Sequence, residues 1–358
     1  MEVGATRQLN AGYLYDNPLT VRLLRTVDAM LRLVPRARRT LPERVERILL
    51  IKPDHLGDVL MTGSIVPVLA ARYPDARMDL VCGSWTRDLV ERLECFGRIH
   101  VVDHVQLNRG GQGLAAKLWR FLSTWGQALR RIRSERYDLC LCLRPFGGNL
   151  ISLAALSGAR FTVGHGTAGG APLLDAVACW TPGLHAVQHH LEVLAACDCH
   201  ADFQALRCLP PRGAREEDVR RIRDALGIGP CYHVIIPGSG GASKMFPPDF
   251  WRTLAEGLPG DSIVLCGSPE ERALFAPIAG ASPRFVNAAG TFALHELPLF
   301  YAGSASVHCT DSFGAHLAAL SGADTTVYYK PEADIAAWHP LGDRCRAVVV
   351  REQHAPAT

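Results

Sequence analysis

Two separate runs of apolar strand followed by amphipathic helix limit what this chain can fold into. The first opens at RILLIKP (47–53) and continues through GDVLMTGSIVPVLAARYP (57–74), RMDLVCG, IHVVDH (99–104), a helix over 111–134, YDLCLCLRP (137–145) and FTVGHG (161–166). The second restarts at YHVIIPG (232–238) and runs through PPDFWRTLAEGL (247–258), SIVLCGS (262–268), a helix after it, SVHCTD (306–311), SFGAHLAALSG and TTVYYK (325–330). Short apolar strands alternating with helices predict a parallel, doubly wound sheet. Two such runs in 358 residues predict an α/β protein of two Rossmann-like domains facing across a cleft. Pro67 predicts an irregularity in the first helix. The expected division is an N-terminal helical extension (1–45), a first domain (46–200), a Pro- and Arg-rich connector (201–230) and a second domain (231–358).

The extension contains LTVRLLRTVDAMLRLVPRARR, whose Leu23, Leu24, Val27, Met30, Leu31 and Val34 share one helical face. Two readings follow. One is a helix lying on an anionic membrane surface, a peripheral contact through residues 1–45. The other, which we prefer, is a helix docked on its own domain with solvated arginines.

Composition removes several function classes. A net charge of +3 is too small to make nucleic acid the main partner. No apolar run is long enough to span a bilayer. The opening MEVGATRQLN lacks a charged-then-apolar leader pattern, so a cytoplasmic location is expected. Most of the 12 cysteines sit singly in apolar runs and read as buried thiols of a reducing compartment. Cys140 and Cys142 alternate, so they share a strand face. Cys197, Cys199, His200 and Cys208 lack the second close pair of a standard zinc pattern, and no metal is expected.

In open parallel sheets the chemistry lies in the loops after the strands. The first such loop holds Asp54, His55 and Asp58. Asp58 falls in a first helical turn, where a carboxylate is either a helix-dipole partner or a general base, with Asp54 and His55 as neighbours of the same kind. The second, Gly238-Ser239-Gly240-Gly241-Ala242-Ser243-Lys244, offers backbone N–H groups and one compact positive charge to an anion. It is not a Walker A loop, because Ser243 and Met245 replace the required residues. It misses the dinucleotide fingerprint as well, because Asp261 precedes its strand. The third, Gly267–Glu271, puts Glu270 and Glu271 where a carboxylate meets ribose hydroxyls or merely opens a helix. The fourth, Asp311-Ser312-Phe313-Gly314-Ala315-His316, begins a helix, and a helix start binds phosphate through its free N–H groups.

The four loops in this order, within RILLIKPDHLGDVLMTGSIVPVLAARYPDARMDLV (47–81), the region 238–258, the region 267–322 and AAWHPLGDRCRAVVV (336–350), resemble the ADP-heptose:lipopolysaccharide heptosyltransferase family. These are inverting glycosyltransferases of the GT-B type. The resemblance implies Asp58 as the base that deprotonates an acceptor hydroxyl. It implies Lys244 as the lysine on the donor phosphates, and Asp311, Ser312, Gly314 and His316 as the diphosphate-binding turn. Gly238, Ser239 and Gly240 join the donor loop, Glu270 or Glu271 meets the ribose, and Asp54 and His55 face the acceptor. It also implies no cofactor beyond the donor substrate, ADP-heptose or a related nucleotide sugar, with a glycan or small-molecule acceptor. The chain departs from the family pattern at Phe313, which stands where the family has glycine; Gly314 follows one residue later. The alternatives are another nucleotide sugar with a small-molecule or protein acceptor and, from a different class, a non-catalytic nucleotide- or glycan-binding scaffold.

Overall fold

The structure is a computed structural model and describes residues 12–37, 39–280 and 282–351. The opening MEVGATRQLN lies outside the described residues. The chain divides into two compact units, Met1–Leu206 and Arg207–Thr358.

The first unit is built on six parallel strands: β1 Arg47–Ile51, β2 Arg77–Cys82, β3 Ile99–Val101, β4 Leu139–Cys142, β5 Phe161–Gly164 and β6 Ala176–Val177. Their order is β3-β2-β1-β4-β5-β6. Its helices are α1 Pro18–Arg32, α2 Leu56–Thr62, α3 Val66–Arg72, α4 Arg87–Leu93, α5 Leu114–Glu135, α6 Ile151–Leu156 and α7 Ala186–Ala195. β1 is central, and Ile48, Leu49, Leu50 and Ile51 are fully buried, as an unbroken apolar run flanked by two strands requires. Leu49, Ile51, Cys140 and Cys142 share one core with Ile132 of α5 and Leu153 of α6. The two alternating cysteines therefore point to the same face and pack there. The irregularity expected at Pro67 is a break: α2 ends at Thr62, a 3₁₀ turn covers Gly63–Ile65, and α3 starts with Pro67 in its first turn. There its missing N–H costs no helical bond.

α1 docks on its own unit. Buried Asp28 accepts hydrogen bonds from Tyr13 Oη (2.9 Å) and Gly170 N (2.8 Å). Among the described residues no helix is long and apolar enough to cross a membrane.

A polar network lies toward the amino ends of β1–β4. Asp79, fully buried, accepts from Arg77 Nε (3.0 Å) and Nη2 (2.7 Å), from Arg98 N (2.8 Å) and from Tyr137 Oη (2.6 Å). His100 Nε2 lies 2.9 Å from the same hydroxyl. Burial and the bond to Asp79 push the Tyr137 hydroxyl pKa upward, so it stays a donor.

The second unit repeats the order. Its strands are β7 Tyr232–Ile236, β8 Ser262–Leu265, β9 Phe285–Asn287, β10 Ser306–Thr310, β11 Thr325–Tyr329 and β12 Cys345–Val349, arranged β12-β11-β10-β7-β8-β9 and all parallel. Its helices are α8 Glu216–Ala225, α9 Pro248–Glu256, α10 Arg272–Ala279, α11 Leu297–Ala302, α12 Phe313–Leu320 and α13 Ile335–Trp338. α8 falls in the stretch read from sequence as a connector. Three acids fill its first turn, and Val219 is its one buried residue.

Tyr137→Phe removes a donor to a buried carboxylate and should destabilise the first unit by about 1.5–3 kcal/mol. Amide hydrogen exchange is the check: β2 and β4 should lose protection while β7 and β10 keep theirs.

Candidate active site

Each sheet reverses its strand order beside its first strand, between β1 and β4 and between β7 and β10. Crossovers leave on opposite faces there, which opens a crevice at the strands' carboxyl ends. The polar loops singled out from sequence follow β1, β7, β8 and β10.

In the second unit, the loops after β7 and β10 are stitched together. Thr310 Oγ1 donates to Gly238 O (2.9 Å), and Ser239 Oγ donates to Asp311 O (2.9 Å). Lys244 sits at the end of a 3₁₀ turn, Ala242–Lys244, and its ammonium lies 2.9 Å from Asp311 Oδ2. The chain just past the lysine is anchored in the core. Phe246, two residues on, is buried against Phe250 (ring centroids 4.6 Å apart) and Trp251 (6.1 Å). Gly240 is exposed in the same loop.

α12 begins directly after Asp311. Ser312 is its N-cap residue in position, yet its side chain makes no capping bond and its Oγ is buried without a hydrogen-bond partner. The first N–H groups of any helix lack intrahelical acceptors, so the Ser312 hydroxyl and the N–H groups of Phe313 and Gly314 form one donor cluster. His316, one turn on, is buried. Gly314 is required by packing: a Cβ there would lie 2.9 Å from Ile236 Cγ2 of β7. The residue that must be small is therefore the one pressed on the sheet, and half-buried Phe313 occupies the outer position.

The two acids after β8 separate. Glu271 Oε2 accepts from Ser268 N (2.7 Å) in a capping box. Its carboxylate also covers Gly238, where an added Cβ would fall 1.7 Å from Oε1. Glu271 thus closes the base of the loop, while Glu270 is exposed.

In the first unit, the loop after β1 carries Asp54, His55 and Asp58. Asp58 is half-buried in the first turn of α2, held by the buried residues Val59, Leu60, Met61 and Thr62 that follow it. Asp54 is buried and committed. It pairs with Arg144 and with Lys52 Nζ at 3.4 Å, and its carbonyl accepts from Trp85 Nε1 (2.8 Å). His55 lies beside Trp85, ring centroids 6.2 Å apart. Burial pushes the Lys52 ammonium down to about 8, against the pull of nearby Asp58. Burial also lowers the Arg144 guanidinium to about 10.

Sequence reasoning missed Lys52 and Arg144. Both stand where apolar strands end, in RILLIKP and LCLCLRP, and a charge at the carboxyl end of a parallel strand was the available signal. It missed Tyr15 as well. The extension runs past the loop after β4, where a Cβ on Gly147 would lie 2.8 Å from Tyr15 Oη, and Arg144 Nε donates to Gly147 O (2.6 Å).

Among the described residues one group has metal-ligand spacing: His165, His189 and Glu192. Several of its atoms already serve one another. Glu192 accepts from Thr181 N (2.9 Å) and lies 2.8 Å from His189 Nδ1, His165 Nε2 lies 3.0 Å from His189 O, and Trp180 stacks on His189 at 3.7 Å. It reads as a packed polar network. The group does not include Cys197, Cys199, His200 or Cys208.

Residues 125–358 match the family model described as glycosyltransferase family 9 (heptosyltransferase). The chain belongs to that family. Its family is one of glycosyltransferases, which favours the enzyme reading over the scaffold reading. Over 47 residues it is 40% identical to lipopolysaccharide heptosyltransferase 2 of Escherichia coli K12, and equally to that of Salmonella typhimurium. That match spans 13% of this chain and 14% of the length of these curated relatives. Among solved structures it is similar to ADP-heptose lps heptosyltransferase II of E. coli (TM-score 0.67, 19% identity, 86% of this chain and 91% of that one). It is also similar to a family 9 glycosyltransferase of Veillonella parvula (0.71, 18%, 88% of each) and to E. coli heptosyltransferase WaaC with ADP (0.61, 18%, 85% and 93%). These likenesses establish the GT-B fold.

Arg144→Met leaves Asp54 buried with Lys52 as its remaining ion-pair partner and should cost about 3–5 kcal/mol. Adding Asp54→Asn should recover part of that loss. Thermal unfolding of the single and double variants checks it, and additive effects would contradict the pairing.

Proposed function

We propose that this transferase moves a heptose from ADP-heptose to a glycan acceptor of the lipopolysaccharide-core type, with inversion. The observation that carries the reading is the donor cluster at the start of α12. There a lysine, a partnerless buried hydroxyl and helix-start N–H groups converge in one loop pair of the second unit. Such a set suits a diphosphate: charge-assisted bonds of this kind contribute about 1.5–3 kcal/mol each.

In the proposed step, the Asp58 carboxylate takes the proton of an acceptor hydroxyl. The oxygen attacks the anomeric carbon, and the bond from that carbon to the diphosphate oxygen breaks with its electron pair. Lys244, Ser312 and the α12 start meet the charge that develops on the leaving ADP. His316 backs this turn one helical turn in. Gly238, Ser239 and Gly240 let the backbone approach, and exposed Glu270 is the carboxylate available to a ribose. Asp54 holds Lys52 and Arg144 near Asp58, and His55 lines the same loop, so the acceptor side is basic. Charge compensation of this kind needs no metal. The relatives' names supply the sugar and the acceptor class. The twelve cysteines, eight of them buried, suit a reducing, cytoplasmic setting.

Phe313 favours a second reading, in which the same chemistry uses another nucleotide sugar. An aromatic side chain stands at the first helical position, beside the proposed phosphate site.

Asp58→Asn should lower kcat about 10²–10⁴-fold while donor binding persists. Assaying donor consumption with and without acceptor checks this, and near-normal turnover in the variant would remove Asp58 from catalysis. Turnover should also survive a strong chelator; a loss reversed by added divalent cation would overturn the metal-free mechanism.

A further inference from the structure

The face expected for α1 from sequence is split in two. Val21 and Asp28 are buried and Leu24 and Leu31 half-buried, so this row meets the body of the unit. Leu24 lies against Gly169, where a Cβ would fall 2.8 Å from its Cδ2. The next row round the helix, Leu19, Leu23, Val27 and Met30, faces solvent, with Leu19 74% and Leu23 63% exposed. Leu33 and Val34 extend it past the helix end. The third row is Arg22, Arg25 and Arg32, all exposed.

The helix cannot turn to hide the apolar row. Asp28 is bonded to Tyr13 and Gly170. Leu14 N donates to Thr167 O (2.8 Å) before the helix, and Arg36 and Arg39 bond the carbonyls of Leu173 and Ala159 after it. Asp28, the one acid in the helix, is spent on this docking, so every charge α1 shows to solvent is positive.

We propose that α1 is a bilayer-contact element. It is held rigidly on the first unit with its Leu19–Leu23–Val27–Met30 row seated in the interface of an anionic membrane and its arginines on the headgroups. An apolar row beside an all-arginine row is the pattern of interfacial helices. Charge favours this occupant over a second copy of the chain, because the exposed charge of α1 is all positive and attracts an anionic surface while it repels its own kind.

The test is co-sedimentation of the full chain with vesicles of phosphatidylglycerol and phosphatidylethanolamine, against vesicles of phosphatidylcholine alone. The parent should bind the anionic vesicles and bind the neutral ones far more weakly. Leu23→Glu with Met30→Glu, at solvent-facing positions, should abolish binding with the melting temperature unchanged. Arg22→Ala and Arg25→Ala should each weaken it about fivefold at low salt. Equal vesicle binding by the Leu23/Met30 variant, or no binding by the parent, overturns the proposal. So does a parent dimer in solution that this variant dissolves, which would assign the row to self-association.

Discussion

A parallel sheet whose strand order reverses sends its crossovers to opposite faces on either side of the reversal. At that place nothing covers the carboxyl ends of the two central strands. Here the reversal falls between β1 and β4 in one unit and between β7 and β10 in the other. Every charged or polar group that the proposed chemistry uses follows one of these strands or their neighbour β8. The opposite direction is used for cohesion. The Asp79–Arg77–Tyr137–His100 network lies toward the amino ends, with the buried Asp79 carboxylate at its centre. The same fold thus separates polar groups that stabilise from polar groups left with capacity to bind.

Charge pairing sets the state of the site before any ligand arrives. Lys244 is held by Asp311 at 2.9 Å, so it is positioned and partly neutralised at once. A ligand must compete with that carboxylate, which favours the doubly charged diphosphate over weaker anions. In the first unit, Asp54 balances two cations, buried Lys52 and half-buried Arg144. Without it neither would have this carboxylate to offset its desolvation. Of the acids in this loop Asp54 is the structural one, and half-buried Asp58 is the one the proposed mechanism uses as base.

Much of this was legible in the residues. Periodicity gave the two parallel units, and the rule that loops after strands hold the chemistry offered Asp58, Lys244 and the start of α12 as candidates, whose proposed roles come from the family resemblance. What escaped has physical reasons. α8 escaped because it buries one apolar side chain, so its period is faint. Lys52 and Arg144 escaped because each closes an otherwise apolar strand. Glu271 was offered as a ribose partner or a helix opener, and Ser268 three residues before it carries the capping-box spacing that the structure uses. Tyr15 reaches the loop after β4 from a separate segment of chain, a contact no local pattern encodes. The amphipathic face of α1 was visible, but only packing against Gly169 and Gly170 divides it into a docked row and an exposed one.

Nucleotide binding at the start of α12 is the centre of this account, and a thermal-shift series tests it most directly. ADP, UDP, GDP and NAD would each be added to the full chain and to its Lys244→Ala variant. A ligand at about 100 times its dissociation constant stabilises the folded state by about 2.7 kcal/mol. The account predicts that ADP gives such a shift and that the shift disappears in the variant. An ADP response that survives Lys244→Ala, or equal stabilisation by all four nucleotides, would contradict it.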